Sequence, residues 1–145
     1  TGVINRIFHG YGKFEGEMDG RKNGALISMS TGKAVAFAIF NLQARGEMFV
    51  THNDPVYEGM IVGLTPKPGD MIINVMKGKQ LTNMRTQGTD ENVVLTPVRQ
   101  MSIAEQLSML NTDEALEITP KSLRLRKAIL NPHDRKKSEK SGAAA

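Results

Sequence analysis

The chain has 145 residues, 39% hydrophobic and 23% charged, with nine methionines and no cysteine. That length supports one domain with a real core. The missing cysteines exclude disulfides and thiolate zinc sites, and no apolar run approaches the ~20 residues that span a bilayer. The formal net charge of +4 is unevenly placed: eight Lys/Arg face two acidic residues between Lys121 and Lys140, while the other eleven basic residues face thirteen acidic ones. A basic end on a near-neutral body fits either a polyanion partner or a solvated face.

"TGVINRIFHGY" lacks an initiator Met and reads as a strand, with Val3, Ile4, Ile7 and Phe8 apolar. The expectation is a piece cut from a longer protein, residues 1–12 being the terminal strand of a preceding domain. "GKFEGEMDGRKNG" is turn-rich and reads as a surface loop. "ALISM" is a short strand. In "STGKAVAFAIFNLQARG", Val35, Ala38, Ile39 and Leu42 fall at i, i+3, i+4 and i+7, which predicts a helix. Ser30 or Thr31 is its expected cap, Gly46 its expected left-handed stop, and Phe37 and Phe40 widen the stripe expected to pack on a sheet.

"EMFV" and "MIVGL" read as strands around a turn, "DPVYEG". "TPKPGD" forbids regular structure, and "MIINV" is a further strand. Residues 77–92 then form a long polar loop before "VVLTPV", a strand that Pro97 confines to an edge. "SIAEQLSMLN" sets Ser102 three residues before Glu105, the spacing of a capping box. Ile103, Leu107 and Leu110 predict a docked face for this helix. In "SLRLRK", alternation sends Leu123, Leu125 and with them Lys127 one way and projects Arg124 and Arg126 together from the opposite face, a basic row. The tail, residues 131–145, has no apolar anchor and is expected to be disordered. The fold expected is α+β, a mostly antiparallel sheet or half-barrel with two short helices and a long protruding loop.

Catalytic signatures are sparse. A P-loop requires G-x-x-x-x-G-K-[ST], but "STGKA" ends in Ala34 and its nearest upstream glycine, Gly24, is too far back. The three histidines lack metal-pair spacing. His52, Asp54 and Glu58 lie close in "THNDPVYE", where a local turn explains them better than an acid–base site. No G-x-S-x-G elbow occurs.

The loop at 77–92 is more informative, since loops this long in compact domains usually have a use. Lys77, Lys79 and Arg85 suit phosphates, and Thr82, Asn83, Thr86, Gln87 and Thr89 are uncharged hydrogen-bonding groups. With no aromatic residue in it, backbone or shape contact with RNA is the expected mode. A merely solvated loop fits these residues too.

"GRKNGALIS", "AFAIFNLQARGEMFV", "VYEGMIVG", "KGKQLTNMRTQGTDE" and "LEITPKSLRLRK" together resemble the C-terminal region of the BipA/TypA family of translational GTPases. The resemblance runs from about Val3 to Arg135. It implies a factor related to elongation factor G and LepA: a GTPase domain, a β-barrel, two ferredoxin-like domains, and a distinctive C-terminal domain. Residues 1–12 would then end the second ferredoxin-like domain, 13–130 would be the C-terminal domain, and 131–145 a basic tail.

The resemblance also implies a division of labour. GTP and magnesium belong to the G domain, leaving this fragment without cofactor, metal or catalysis. The loop would approach the peptidyl-transferase centre and the acceptor end of A-site tRNA, on the large ribosomal subunit RNA. Lys77, Lys79 and Arg85 would meet phosphates; Thr82, Asn83 and Thr89 would bond riboses or fix the loop; Arg124, Arg126 and Lys127 would form a second contact. It further implies a cytoplasmic, membrane-free protein acting in stress response and ribosome biogenesis. The alternative is a structural module docked on upstream domains of the same protein through the helix near 34–44.

Overall fold

The computed structural model describes residues 7–13, 21–78 and 94–142. Their elements in chain order are β1 (Ala25–Ser28), β2 (Gly32–Lys33), α1 (Ala36–Gln43), β3 (Glu47–Met48), β4 (Pro55–Val56), β5 (Ile61–Leu64), β6 (Met71–Ile73), α2 (Ile103–Ser108), β7 (Glu114–Ile118), β8 (Leu123–Lys127) and α3 (Pro132–Gly142). β3, β5, β1 and β6 form one sheet in that order, antiparallel except for the parallel β1–β6 pair. Two small antiparallel ribbons, β2–β4 and β7–β8, complete the described strands. The result is α+β with a mostly antiparallel sheet that does not close into a barrel.

β1 is buried along its whole length because strands flank it on both edges and layers cover both faces. Side-chain alternation then divides the core. Leu26 and Val62 face one side, where Ile39 and Leu42 of α1 meet Val50, Val56, Ile73 and Val75. Ala25, Ile27 and Ile61 face the other, where Leu125 of β8 closes over them. Among the described residues the first cluster has eleven buried members and the second four. At roughly 1.5–3 kcal/mol per buried large aliphatic side chain, the α1 face carries most of the apolar stabilisation.

α1 starts later than the sequence suggests. Residues 32 and 33 pair with β4, Ala34 N–H donates to Asp54 C=O, and the N-cap is Val35, with no side-chain cap. Ser30 and Thr31 are therefore not its caps. Gly46 is not a left-handed stop either: a Cβ there would strike the Leu64 backbone, so glycine serves close approach. Ala38, Ile39 and Leu42 are buried as their spacing requires, but Phe40 stays 49% exposed.

Four other expectations change. Residues 7–13 carry no strand, while 1–6 lie outside the described residues. Val94–Val98 is not a strand; it is held through side-chain and backbone bonds at Thr96 and Arg99. α2 has the full capping box between Ser102 and Glu105, yet Ile103 and Leu107 remain 46% and 54% exposed, and its buried residue is Gln106. The basic tail, finally, is helical over Pro132–Gly142. Pro132 suits the first helical turn, where no N–H is required. The Asn131 side chain accepts from His133 N–H at 2.8 Å, and Asp134 complements the dipole.

Candidate nucleic-acid interface

Of the loop at 77–92 the described residues include Lys77 and Gly78; Lys79, Thr82, Asn83, Arg85, Thr86 and Thr89 lie outside them. What can be built is the root of that loop. On the outgoing side, Val75 C=O accepts from Val35 N–H at 2.9 Å, at the start of α1, and Asn74 Oδ1 accepts from Met76 N–H at 2.9 Å. On the return side, the Gln43 carboxamide at the end of α1 donates to Thr96 C=O at 2.7 Å and accepts from Thr96 N–H at 3.0 Å. Arg99 N–H donates to Met48 C=O at 3.3 Å just beyond. The helix thus clamps both feet of the segment between 78 and 94, one at each end.

Lys77 is exposed and lies on a groove of about 500 Å³ between α1 and the end of β6. Phe37, Asn41, Arg45, Ile72 and Asn74 share that groove with it. Two cations and two carboxamides beside an aromatic ring, with no carboxylate among the lining residues, make a surface suited to phosphate and ribose oxygens. Sequence reasoning missed Asn41, Arg45 and Asn74. Asn41 lies in α1 and Arg45 just past its end, four residues on, a spacing that is a usable signal, but nothing local places Asn74 opposite them.

The β7–β8 hairpin carries the second predicted group. Arg124 and Arg126 share its outer face, half-buried, opposite Glu117 and Ala115 respectively. Arg124 meets Glu117 at 3.7 Å, and Tyr57 Oη donates to the same carboxylate at 2.5 Å. Burial pushes the Tyr57 hydroxyl up to about 12, and the bond to Glu117 adds to that. This row is therefore a partly neutralised platform.

Lys127 does not belong to that row. Alternation places it on the Leu125 face, and it is 2% exposed. Its ammonium reaches Asp70 at 2.5 Å, Asp113 at 2.6 Å and Glu114 at 3.1 Å. Arg21 grips Glu114 from the other side at 2.7 Å. Burial alone would lower the Lys127 pKa, but the hydrogen bonds to Asp113, Asp70 and Glu114 more than offset that and raise it. Asp70 resists its own burial through Lys127 and the Ala25 N–H, and its pKa falls. The arrangement fastens the hairpin to the β6 end of the sheet and leaves the ammonium nothing to offer RNA.

His52, Asp54 and Glu58 do not converge. Asp54 Oδ2 accepts from Thr51 N–H at 2.7 Å, Asn53 takes a positive φ of 73°, and Glu58 N–H turns to Thr31 Oγ1. The stretch is a turn. No group of three or more potential metal ligands occurs among the described residues, and no described helix is long and apolar enough to cross a membrane.

A protein named large ribosomal subunit assembly factor BipA from Buchnera aphidicola subsp. Schizaphis graminum is 50% identical over 141 residues, 97% of this chain and 23% of its own length. Proteins of the same name from Salmonella typhimurium (strain LT2) and Escherichia coli (strain K12) are 45% and 44% identical, again over 97% of this chain. The chain therefore spans about a quarter of the length of these relatives, 23% in each case. The TypA/BipA C-terminal domain family matches residues 23–132, which takes in the sheet, α1, the loop root and the whole hairpin, and the chain belongs to that family.

Proposed function

We propose that this domain is the RNA-contacting module of a ribosome-associated translational GTPase, and that its target is the large ribosomal subunit. The observation that carries the reading is the clamped loop root: α1 holds both feet of a long polar segment, and Arg45 and Lys77 line the groove at its base. The relatives' shared name, a large ribosomal subunit assembly factor, supports the choice of target.

In this reading the loop extends to the peptidyl-transferase centre and the acceptor end of A-site tRNA. Lys77, Lys79 and Arg85 neutralise phosphates, and Thr82, Asn83, Thr86 and Thr89 bond sugar oxygens. Arg124 and Arg126 give a weaker second contact once phosphate displaces Glu117. GTP and magnesium are assigned to the G domain of the whole factor and no catalysis to this chain. The cellular setting is the cytoplasm, in large-subunit maturation under stress.

The test is binding of the whole factor to ribosomal subunits at graded salt. Four to six phosphate contacts give a slope of log affinity against log salt of roughly −3 to −5. Charge reversal at Lys79 and Arg85 should flatten that slope; an unchanged slope rejects the loop. A second reading, docking on other domains of the whole factor, is favoured by the exposed Ile103 and Leu107 of α2. Amide-exchange protection of α2 in the whole factor, with no change in the loop on ribosomes, would favour it.

A further inference from the structure

A second opening lies on the opposite face of the sheet from α1, between the β7–β8 turn and the segment leading into α2. It encloses about 700 Å³, within the range of small-ligand sites. Phe49 and Met101 supply apolar surface, Arg99, Lys121 and Arg124 supply positive charge, and no Asp or Glu lines it. The opening beside α3 differs: Arg135 and Lys136 are countered there by Asp70, Asp113 and Glu139. Of these two, the cleft beside Phe49 and Met101 is the one electrostatically open to an anion.

Gln106 gives this cleft a further property. The residue is 8% exposed and its Nε2 donates to Met101 C=O at 3.3 Å. Its Oε1 is buried without a partner. Turning the amide over would set that oxygen against the Met101 carbonyl, so the orphan is an acceptor in the observed orientation. A buried acceptor left unpaired is unfavourable in the free chain. It becomes useful when a ligand brings a donor, on a small rotation of the terminal amide.

We propose that this cleft takes one unpaired nucleotide of an RNA strand, the base lying against Phe49 and Met101 with a ring-edge N–H on Gln106 Oε1, and the flanking phosphates on Arg99, Lys121 and Arg124. Every base has a π face and a Watson–Crick donor, so the site holds a splayed nucleotide without reading a long sequence. The present carboxylate contacts are replaceable: Arg99 meets Glu47 at 3.3 Å and Glu105 at 3.7 Å, Arg124 meets Glu117 at 3.7 Å, and all are partly exposed. Lys121 has no ion pair among the described residues. The inference rests on the RNA-binding role proposed above but uses a different face from the loop.

Anisotropy of the full 145-residue chain with a short labelled single-stranded RNA tests it. Gln106→Leu should weaken binding roughly threefold to tenfold, the worth of one hydrogen bond, in a protein whose cooperative melt shows that it still folds without the Met101 bond. Lys121→Gln, an exposed change that spares the fold, should lower the salt slope by about 1. An abasic strand of equal length should bind more weakly than the RNA. Unchanged affinity in Lys121→Gln and Gln106→Leu, or equal binding of the abasic strand, overturns the cleft. If Lys79→Gln and Arg85→Gln weaken ribosome binding by the whole factor while the cleft variants do not, the loop reading survives and this one fails; the reverse pattern keeps the cleft and removes the loop.

Discussion

The side chain of Gln43 pairs with the backbone of Thr96 as a neighbouring strand would, giving one hydrogen bond and taking another. Both bonds are exposed, so each is worth little to global stability. Gln43→Ala should therefore cost about 1 kcal/mol or less. Its local effect should be larger, because this pair fixes the return foot of the loop. The Thr96 amide should exchange markedly faster, and limited proteolysis should cut sooner between 79 and 93. An unchanged Thr96 exchange rate would mean that Arg99 and Met48 alone hold the foot.

That clamp shows where sequence reading stops. The capping box at Ser102, the alternation of β8 and the α1 stripe through Ala38, Ile39 and Leu42 are local patterns, and all are realised. The β2–β4 ribbon is not legible: Gly32–Lys33 and Pro55–Val56 have no pattern of their own and are paired by tertiary packing. Pairing them moves the helix start from Ser30 and Thr31 to Val35. Alternation puts Lys127 on the Leu125 face, but its charge argues for solvent. Its partners Asp70, Asp113 and Glu114 are distant in the chain or on another strand, so no spacing reveals them. The polar composition of the tail argues for disorder, and the helix-start residues Asn131, Pro132 and Asp134 carry no apolar stripe after them to outweigh it.

Removing the buried ammonium should be costly. Lys127→Met leaves three carboxylates facing one another. Glu114 retains Arg21, and Asp70 and Asp113 keep partial access to water. The loss should lie at the lower end for a broken buried ion pair, about 3 kcal/mol. Denaturant unfolding of the variant reads this directly.

The same cluster sets a pH window. Asp70 has a folded pKa below its ordinary 3.8, so it stabilises the fold above that pH, and the contribution is lost as pH falls through the folded value. Lys127 has a folded pKa above its ordinary 10.5, so its contribution is full below that pH and is lost as pH rises through the folded value. Thermal melts across this range should show a plateau with two falling edges. Asp70→Asn should lower the plateau and flatten the acid edge; an acid edge identical to that of the parent would assign it to other carboxylates.

Tyr57 adds to the alkaline edge. Its hydroxyl, pushed up to about 12 by burial and then by the bond to Glu117, stays protonated in the folded chain while an ordinary tyrosine ionises near 10.0. The folded state binds the extra proton, so stability falls as pH rises between those values. Tyr57→Phe should cost about 1 kcal/mol at neutral pH through the lost hydrogen bond. It should also make the decline between pH 10 and 12 shallower, which melts of the two proteins at alkaline pH compare.

Gly59 joins the central sheet to the β7–β8 hairpin. Its φ is 84°, its N–H donates to Ser28 C=O, its own C=O accepts from Lys127 N–H, and a Cβ would press on Leu130. Gly59→Ala combines an unfavourable backbone region with a steric clash, each able to cost about 1–3 kcal/mol. A drop of at least about 2 kcal/mol in unfolding free energy is expected, and near-parental stability would show that the hairpin can shift to make room.

Arg45 separates function from fold. Its side chain is exposed and makes no ion pair among the described residues, so Arg45→Gln should leave the melting temperature within error. It nevertheless lines the groove with Lys77 at the root of the loop. If that groove follows an RNA backbone, the substitution removes about one phosphate contact, and the slope of log affinity against log salt for the whole factor on ribosomal subunits should become shallower by about 1. The change should be uniform across RNA sequences, because a phosphate contact carries no base information. A full salt slope in Arg45→Gln, with the loop charges still required, would move the contact outward to residues 79–92 and leave the groove as a packing feature of α1.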